Sequence, residues 1–206
     1  MSKIHVINSG TCNIGSVVNM LNFLGIKNFI VNEKKDLNNV DKIILPGVGS
    51  FDHNVKNLHN LEFFHTIKDL VEIKKIPILG ICLGMHLFCK TSEEGNQKGF
   101  GFFDAEVKKF NFDNITKQLL VPHMGWNSVR IKKNNKLLIE PNDNYRFYFV
   151  HSYHVKCSRD ADVMLTTNYG YNFHSGINKE HIYGVQFHPE KSHRFGMEVL
   201  KNFSIV

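Results

Sequence analysis

IPILGICLGM, residues 76–85, decides the fold. The run Ile76 to Ile81 is apolar without alternation, so it reads as a strand buried on both faces of a sheet. The segment Leu83 to Thr91 that follows reads as a helix. Between them Gly80-Ile81-Cys82-Leu83-Gly84 has the form G-x-C-x-G. This is the cysteine counterpart of the strand–turn–helix elbow that lifts a nucleophile above a sheet. Residues without Cβ suit so sharp a turn. The helix start beyond it favours thiolate over thiol, and the backbone N–H of Leu83 is placed to stabilise an oxyanion. Taken alone, the motif has a second reading, a structural cysteine packed beside two glycines.

Towards the N-terminus, strand and helix signals alternate. Lys3 to Asn8 reads as a strand, and Ile14, Val17, Val18, Leu21 and Leu24 follow helical spacing up to Gly25. Lys27 to Val31 is a second strand, and Lys42 to Leu45 a third, stopped by Pro46-Gly47. One long helix is expected over Asp52 to Ile73. Towards the C-terminus, Glu106 to Phe110, Ser128 to Ile131, Arg146 to Val155 and Val163 to Asn168 read as strands. Tyr171 to Ile177 and His181 to Phe187 read as a hairpin, and Phe195 to Phe203 as a closing helix. The pattern predicts one α/β domain over residues 1–206: an open sheet, mostly parallel with antiparallel additions, and helices on both faces. In such sheets ligands bind beyond the carboxyl ends of the strands.

Composition fits. The chain has 206 residues, 42% hydrophobic and 21% charged, which excludes wholesale disorder. No apolar run approaches the ~20 residues of a membrane helix, and the N-terminus lacks a signal-peptide pattern. The cysteines Cys12, Cys82, Cys89 and Cys157 form no C-x-x-C pair. That argues against a thiolate zinc site and for reduced thiols in the cytoplasm. The net charge of +6 is scattered along the chain. It reads as a solvated surface; no nucleic-acid module accompanies it.

A thiol nucleophile needs a base. Gly184-Val185-Gln186-Phe187-His188-Pro189-Glu190-Lys191-Ser192 offers one. His188 and Glu190 are expected at the end of a strand with both side chains on one face, the carboxylate fixing the imidazole tautomer. A surface His–Glu pair is the alternative.

At these residues the sequence resembles the class I glutamine amidotransferases, and within them the glutaminase subunits of imidazole glycerol phosphate synthases. The likeness runs from about Ile4 to Phe203. It is carried by GICLGM (80–85), GVQFHPEKS (184–192), PGVGSF (46–51), VPHMGWN (121–127) and FVHSYHV (149–155). The resemblance implies Cys82, His188 and Glu190 as a catalytic triad. It implies an oxyanion hole from Leu83 and from Gly47, Val48 and Gly49. It implies Glu94 at the amino group of L-glutamine and His151, Ser152 and Tyr153 along the substrate carboxylate. His123, Met124, Trp126, Asn127 and Lys191 match a surface facing a (β/α)₈ cyclase partner, although a lone Trp is also a common core residue. The implied reaction hydrolyses glutamine and channels ammonia to that cyclase, without a metal or organic cofactor in this subunit.

Two departures stand out. His86 occupies a position where the family usually has Gln; four residues from Cys82, it is expected to touch substrate with a charge that titrates near neutrality, or else to point away. Asn8 to Asn13 replaces an Asp-Tyr-Gly run, with Cys12 read as a packing substitution, as is Cys89 in the core. These departures, with Ser192 to Met197, leave open a paralogous glutaminase that supplies ammonia for amidation of a sugar precursor. A catalytically silent scaffold and another hydrolase of the same sheet class are further alternatives. The intact Cys82, His188 and Glu190 speak against the first, and the HSYHV and PHMGWN segments against the second.

Overall fold

The computed structural model describes residues 3–10, 13–113, 119–139 and 144–206; Cys12 lies outside them. The elements in chain order are β1 (Ile4–Ile7), α1 (Ile14–Phe23), β2 (Asn28–Val31), β3 (Lys42–Gly47), α2 (Phe51–Asn60), α3 (Phe63–Glu72), β4 (Ile78–Cys82) and α4 (Leu83–His86). Then come β5 (Thr91–Ser92), β6 (Ala105–Lys109), β7 (His123–Ser128), β8 (Arg130–Ile131), β9 (Arg146–His151) and β10 (Tyr153–Cys157). The chain finishes with β11 (Val163–Tyr169), β12 (Tyr171–Lys179), β13 (Ile182–Val185) and α5 (His193–Ile205).

The main sheet has the order β2-β1-β3-β4-β13-β12-β10-β6-β5, with β11 and β8 joined through β12. The pairs β2–β1, β1–β3, β3–β4 and β4–β13 are parallel. From β13 to β12 the pairing turns antiparallel. β7 and β9 form a separate antiparallel ribbon.

Strand alternation divides the buried side chains between the two faces. On one face Ile43, Leu45 and Ile78 pack with Phe51, Val55 and Leu58 of α2 and Phe63, Ile67 and Val71 of α3. On the other, Ile4, Val6, Ile44 and Leu79 pack with Val17 and Leu21 of α1 and Val199, Leu200 and Phe203 of α5. Burial on both sides explains why these strands lack polar alternation.

Five sequence expectations are corrected. The helix expected over residues 52–73 is two, α2 and α3, broken where Glu62 adopts φ +57°. The apolar stripe continues across the break because both helices cover the same sheet face. β3 does not stop at Pro46 but continues to Gly47, held in register against Cys82 of β4. The helix expected to reach Thr91 is only α4, after which i+3 turns at Phe88 and Cys89 lead to Lys90, whose N–H donates to Ala105 O at 2.9 Å. Leu87, Phe88 and Cys89 are all buried, so their hydrophobicity has no period with which to distinguish a helix from a packed turn. Arg146 to Val155 is not one strand: β9 joins the ribbon, β10 joins the main sheet, and the chain changes sheets at Ser152. Finally, His188 and Glu190 do not share a strand face, because β13 ends at Val185 and Glu190 sits in a short 3-10 turn, Pro189–Lys191.

Candidate active site

Cys82 closes β4 with φ +54° and ψ −109°, a conformation that L-residues rarely adopt and that lifts its side chain above the sheet. The turn is tight: a Cβ added to Gly84 would lie 1.8 Å from Leu45 O. Glycine is therefore required at 84 by close approach to β3.

Register does the rest. β13 runs parallel to β4 with Val185 opposite Ile81, so the chain leaving β13 passes beside Cys82. The 3-10 turn then folds Glu190 back onto His188. His188 Nδ1 lies 2.8 Å from Glu190 Oε1, with both side chains buried. Bonding to a carboxylate places the proton on Nδ1, which leaves Nε2 as the basic atom. Burial opposes charge on this imidazole, but Cys82 and Glu190 outweigh it and raise His188 to about 10. Nε2 is itself buried and makes no hydrogen bond of good geometry in the resting site.

Around Cys82 opens a cleft of about 340 Å³, lined by Val48, Gly49, Leu83, His86, Glu94, Val150, His151, Ser152, Tyr153 and His188. The groups expected for catalysis, the oxyanion hole and substrate binding therefore converge from five segments of the chain. Gly47 lies beneath, opposite Cys82 in the β3–β4 register. The Val48 carbonyl accepts from Asn54 Nδ2 at 3.0 Å, which fixes the peptide after Val48 to the first turns of α2. The Glu94 carboxylate accepts the N–H of Phe51 at 2.9 Å. Burial pushes the Glu94 carboxyl up, partly countered by that N–H.

A strained cysteine elbow facing a buried His–Glu pair is the arrangement of an acyl-transfer site, and a family model decides whose. The model for glutamine amidotransferase class-I matches residues 5–206. The chain belongs to this family.

Imidazole glycerol phosphate synthase subunit HisH 2 of Methanococcus maripaludis is 46% identical over 97% of this chain and 98% of its own. The HisH subunit of Leptospira interrogans is 44% identical over 98% of each chain. Among solved structures, PurLQS from Thermotoga maritima superposes with a TM-score of 0.74 at 16% identity, covering 98% of this chain and 97% of that one, a likeness of fold. Among the described residues of this amidotransferase no helix is long and apolar enough to cross a membrane.

Two site expectations change. His86 lines the cleft but does not titrate near neutrality. Burial lowers it to about 4, and its Nε2 lies 2.8 Å from Gln186 Oε1. The expected face for a partner is only partly outward. Met124 is 62% and Trp126 43% exposed, and Lys191 is exposed with its Nζ over the Tyr148 ring. His123 is 2% exposed and turned inward, its Nδ1 2.9 Å from His151 Nε2. Asn127 turns the same way and bonds His123 Nε2 at 3.1 Å. Alternation along β7 is the cause: positions 123 and 127 face the amidotransferase core while 124 and 126 face solvent.

Three residues of the site escaped sequence reasoning. Ser192 is buried; its Oγ donates to His188 O at 2.6 Å and accepts Tyr148 N–H at 3.0 Å, clamping the His188–Glu190 turn to β9. Gly196 lets α5 approach that turn. Gln186 contacts the sulfur itself. The first and last lie inside GVQFHPEKS, where their polar character in a buried run was the available signal.

Proposed function

We propose that this chain is the glutaminase subunit of an imidazole glycerol phosphate synthase, hydrolysing L-glutamine in the cytoplasm and passing ammonia to a (β/α)₈ cyclase subunit for histidine biosynthesis. The observation that carries the reading is Cys82 on its positive-φ elbow, facing the buried His188–Glu190 pair. Both relatives named above bear the synthase name, which favours this reading over ammonia supply to sugar amidation.

The thiolate of Cys82 attacks the side-chain carbonyl carbon of glutamine. The oxyanion that forms is received by the N–H of Leu83 and by the Gly47-Val48-Gly49 strand once its peptide is aligned. His188 gives its proton to the departing nitrogen, ammonia leaves, and a γ-glutamyl thioester remains on Cys82. His188 then takes a proton from water, whose oxygen attacks the thioester; the C–S bond breaks, glutamate leaves, and the Cys82 thiolate with protonated His188 is restored. Glu190 holds the imidazole in the tautomer both steps need. Glu94 receives the substrate ammonium, and His151, Ser152 and Tyr153 border its carboxylate. Met124, Trp126 and Lys191 present the face for the cyclase.

Glutamate release is measured for the chain alone and with its cyclase. The chain alone is expected to be slow and the complex faster. Cys82→Ala removes turnover, and Glu190→Gln lowers kcat by about 10²–10⁴-fold. Glutamate release by Cys82→Ala at the wild-type rate, or full activity without a partner, refutes the proposal.

A further inference from the structure

The sulfur of Cys82 has a neighbour besides His188. Gln186 is fully buried, and the β4–β13 register carries it to the level of Cys82. Its side-chain Nε2 donates to Cys82 Sγ at 3.7 Å. Its Oε1 lies 2.8 Å from His86 Nε2. An amide oxygen has no proton, so His86 must donate, and its ring carries the proton on Nε2. His86 Nδ1 is buried without a partner. A proton there would be an unpaired buried donor, so the neutral Nε2–H tautomer is the one that fits.

A second contact of the sulfur is different in kind. Val150 O lies 4.0 Å from Sγ, an acceptor suited to the protonated thiol. A carbonyl oxygen disfavours a thiolate, while an amide N–H favours it. The side chain of Gln186 is symmetric enough to turn over; with Oε1 toward sulfur it would repel the anion. The N–H of His86 prevents this, because it bonds only with the oxygen.

We propose that Gln186 is a positioning residue for the Cys82 thiolate, and that His86 keeps its amide nitrogen toward the sulfur. Resting on Cys82 as nucleophile, the inference gives His86 a task other than contact with substrate. The other titratable groups around the sulfur are His188 with Glu190 from the turn after β13, Glu94 from the loop after β5, His151 from β9 and Tyr153 from β10. His154 of β10 acts on His86. All of these stay in place in the variants used.

The test is the pH profile of Cys82 alkylation by iodoacetamide in the full chain, read on the Cys82 peptide by mass spectrometry. In Gln186→Met the midpoint rises by about one pH unit, the size of one lost hydrogen bond to a charged group. In His86→Leu it rises in the same direction by less. In His86→Gln, whose amide can donate to Gln186 Oε1 or accept from its Nε2, it lies between the wild-type and His86→Leu values. An unshifted midpoint in a cooperatively unfolding Gln186→Met protein, or in His86→Leu, overturns the proposal. If Gln186→Met does not fold, the two His86 variants decide, and equal shifts in both overturn it. Alkylation needs no glutamine and no cyclase. A wild-type complex without glutaminase activity would therefore sink the proposed function and leave this test standing.

Discussion

The carboxylate of Glu94 receives the backbone N–H of Phe51, 43 positions away in the chain, at 2.9 Å. Ser50, at the N-cap of α2, makes no side-chain cap of its own. Glu94 therefore supplies the acceptor that the helix start lacks, and it does so from the edge of the cleft. The tie is reciprocal: Asp52 in that first turn accepts Asn96 N–H at 3.0 Å and Gln97 N–H at 2.8 Å. The loop that presents Glu94 and the helix that follows Gly47-Val48-Gly49 thus hold each other.

Two substitutions separate these duties. Glu94→Gln keeps an oxygen for Phe51 but loses the charge that the proposed function assigns to the substrate ammonium. It should raise KM for glutamine about tenfold with little change in Tm. Glu94→Ala loses both, and should add a stability loss of about 1 kcal/mol, typical of a missing helix cap. Equal Tm values for the two variants would show that the cap is dispensable.

A second prediction concerns the helix behind the His188–Glu190 turn. A Cβ at Gly196 would lie 1.8 Å from Pro189 O, a backbone atom between His188 and Glu190. Gly196→Ala must push the turn away from α5, at a cost of about 1–3 kcal/mol. Because the 2.8 Å His188–Glu190 bond depends on that turn, kcat in the complex should fall at least about tenfold. Unchanged kcat with a lowered Tm would mean that the turn moves as a rigid body.

The outward half of β7 gives a third. Met124 and Trp126 are large apolar groups exposed on the outward face of the β7–β9 ribbon, and Trp126 stacks on His193 at 5.5 Å. Trp126→Ala should weaken binding to the cyclase by about 2 kcal/mol, roughly thirtyfold in Kd, while Tm changes little. Titration calorimetry reads the first and thermal unfolding the second. Undiminished affinity in Trp126→Ala combined with Met124→Asp would move the interface elsewhere.

The sequence made the elbow and the sheet readable for the same reason: β4 is apolar on both faces, and Gly80 and Gly84 mark the turn at Cys82. It was less informative wherever burial erased periodicity. Leu87 to Cys89 could not announce that α4 ends early, and nothing at Leu61 or Glu62 marks the break between α2 and α3. Inward and outward residues of VPHMGWN became distinguishable only when β7 had a partner strand to define its faces. His86 shows the limit for chemistry, since its low pKa comes from burial, which outweighs the opposing bond to Gln186, a partner 100 residues away in the chain.

That burial, repeated, predicts sensitivity to acid. His86, His123 and His154 are lowered to about 4 by burial, and His151 is driven well below its ordinary value. Their unfolded values lie near 6.5. Between those limits the unfolded chain binds protons that the folded chain does not, so stability is full above about pH 6.5 and lost as pH falls towards 4. Each imidazole that is protonated in the unfolded chain and neutral in the fold contributes a slope of about 1.4 kcal/mol per pH unit. His188 titrates in the opposite sense: raised to about 10, its stabilisation is full below 6.5 and lost as pH rises through 10, so it adds nothing to the acid loss. For a domain of ordinary stability, unfolding near pH 5 is the expected result. Urea midpoints at pH 7.5, 6 and 5 check it, and a midpoint constant across that series would mean that these imidazoles take up protons without opening the fold.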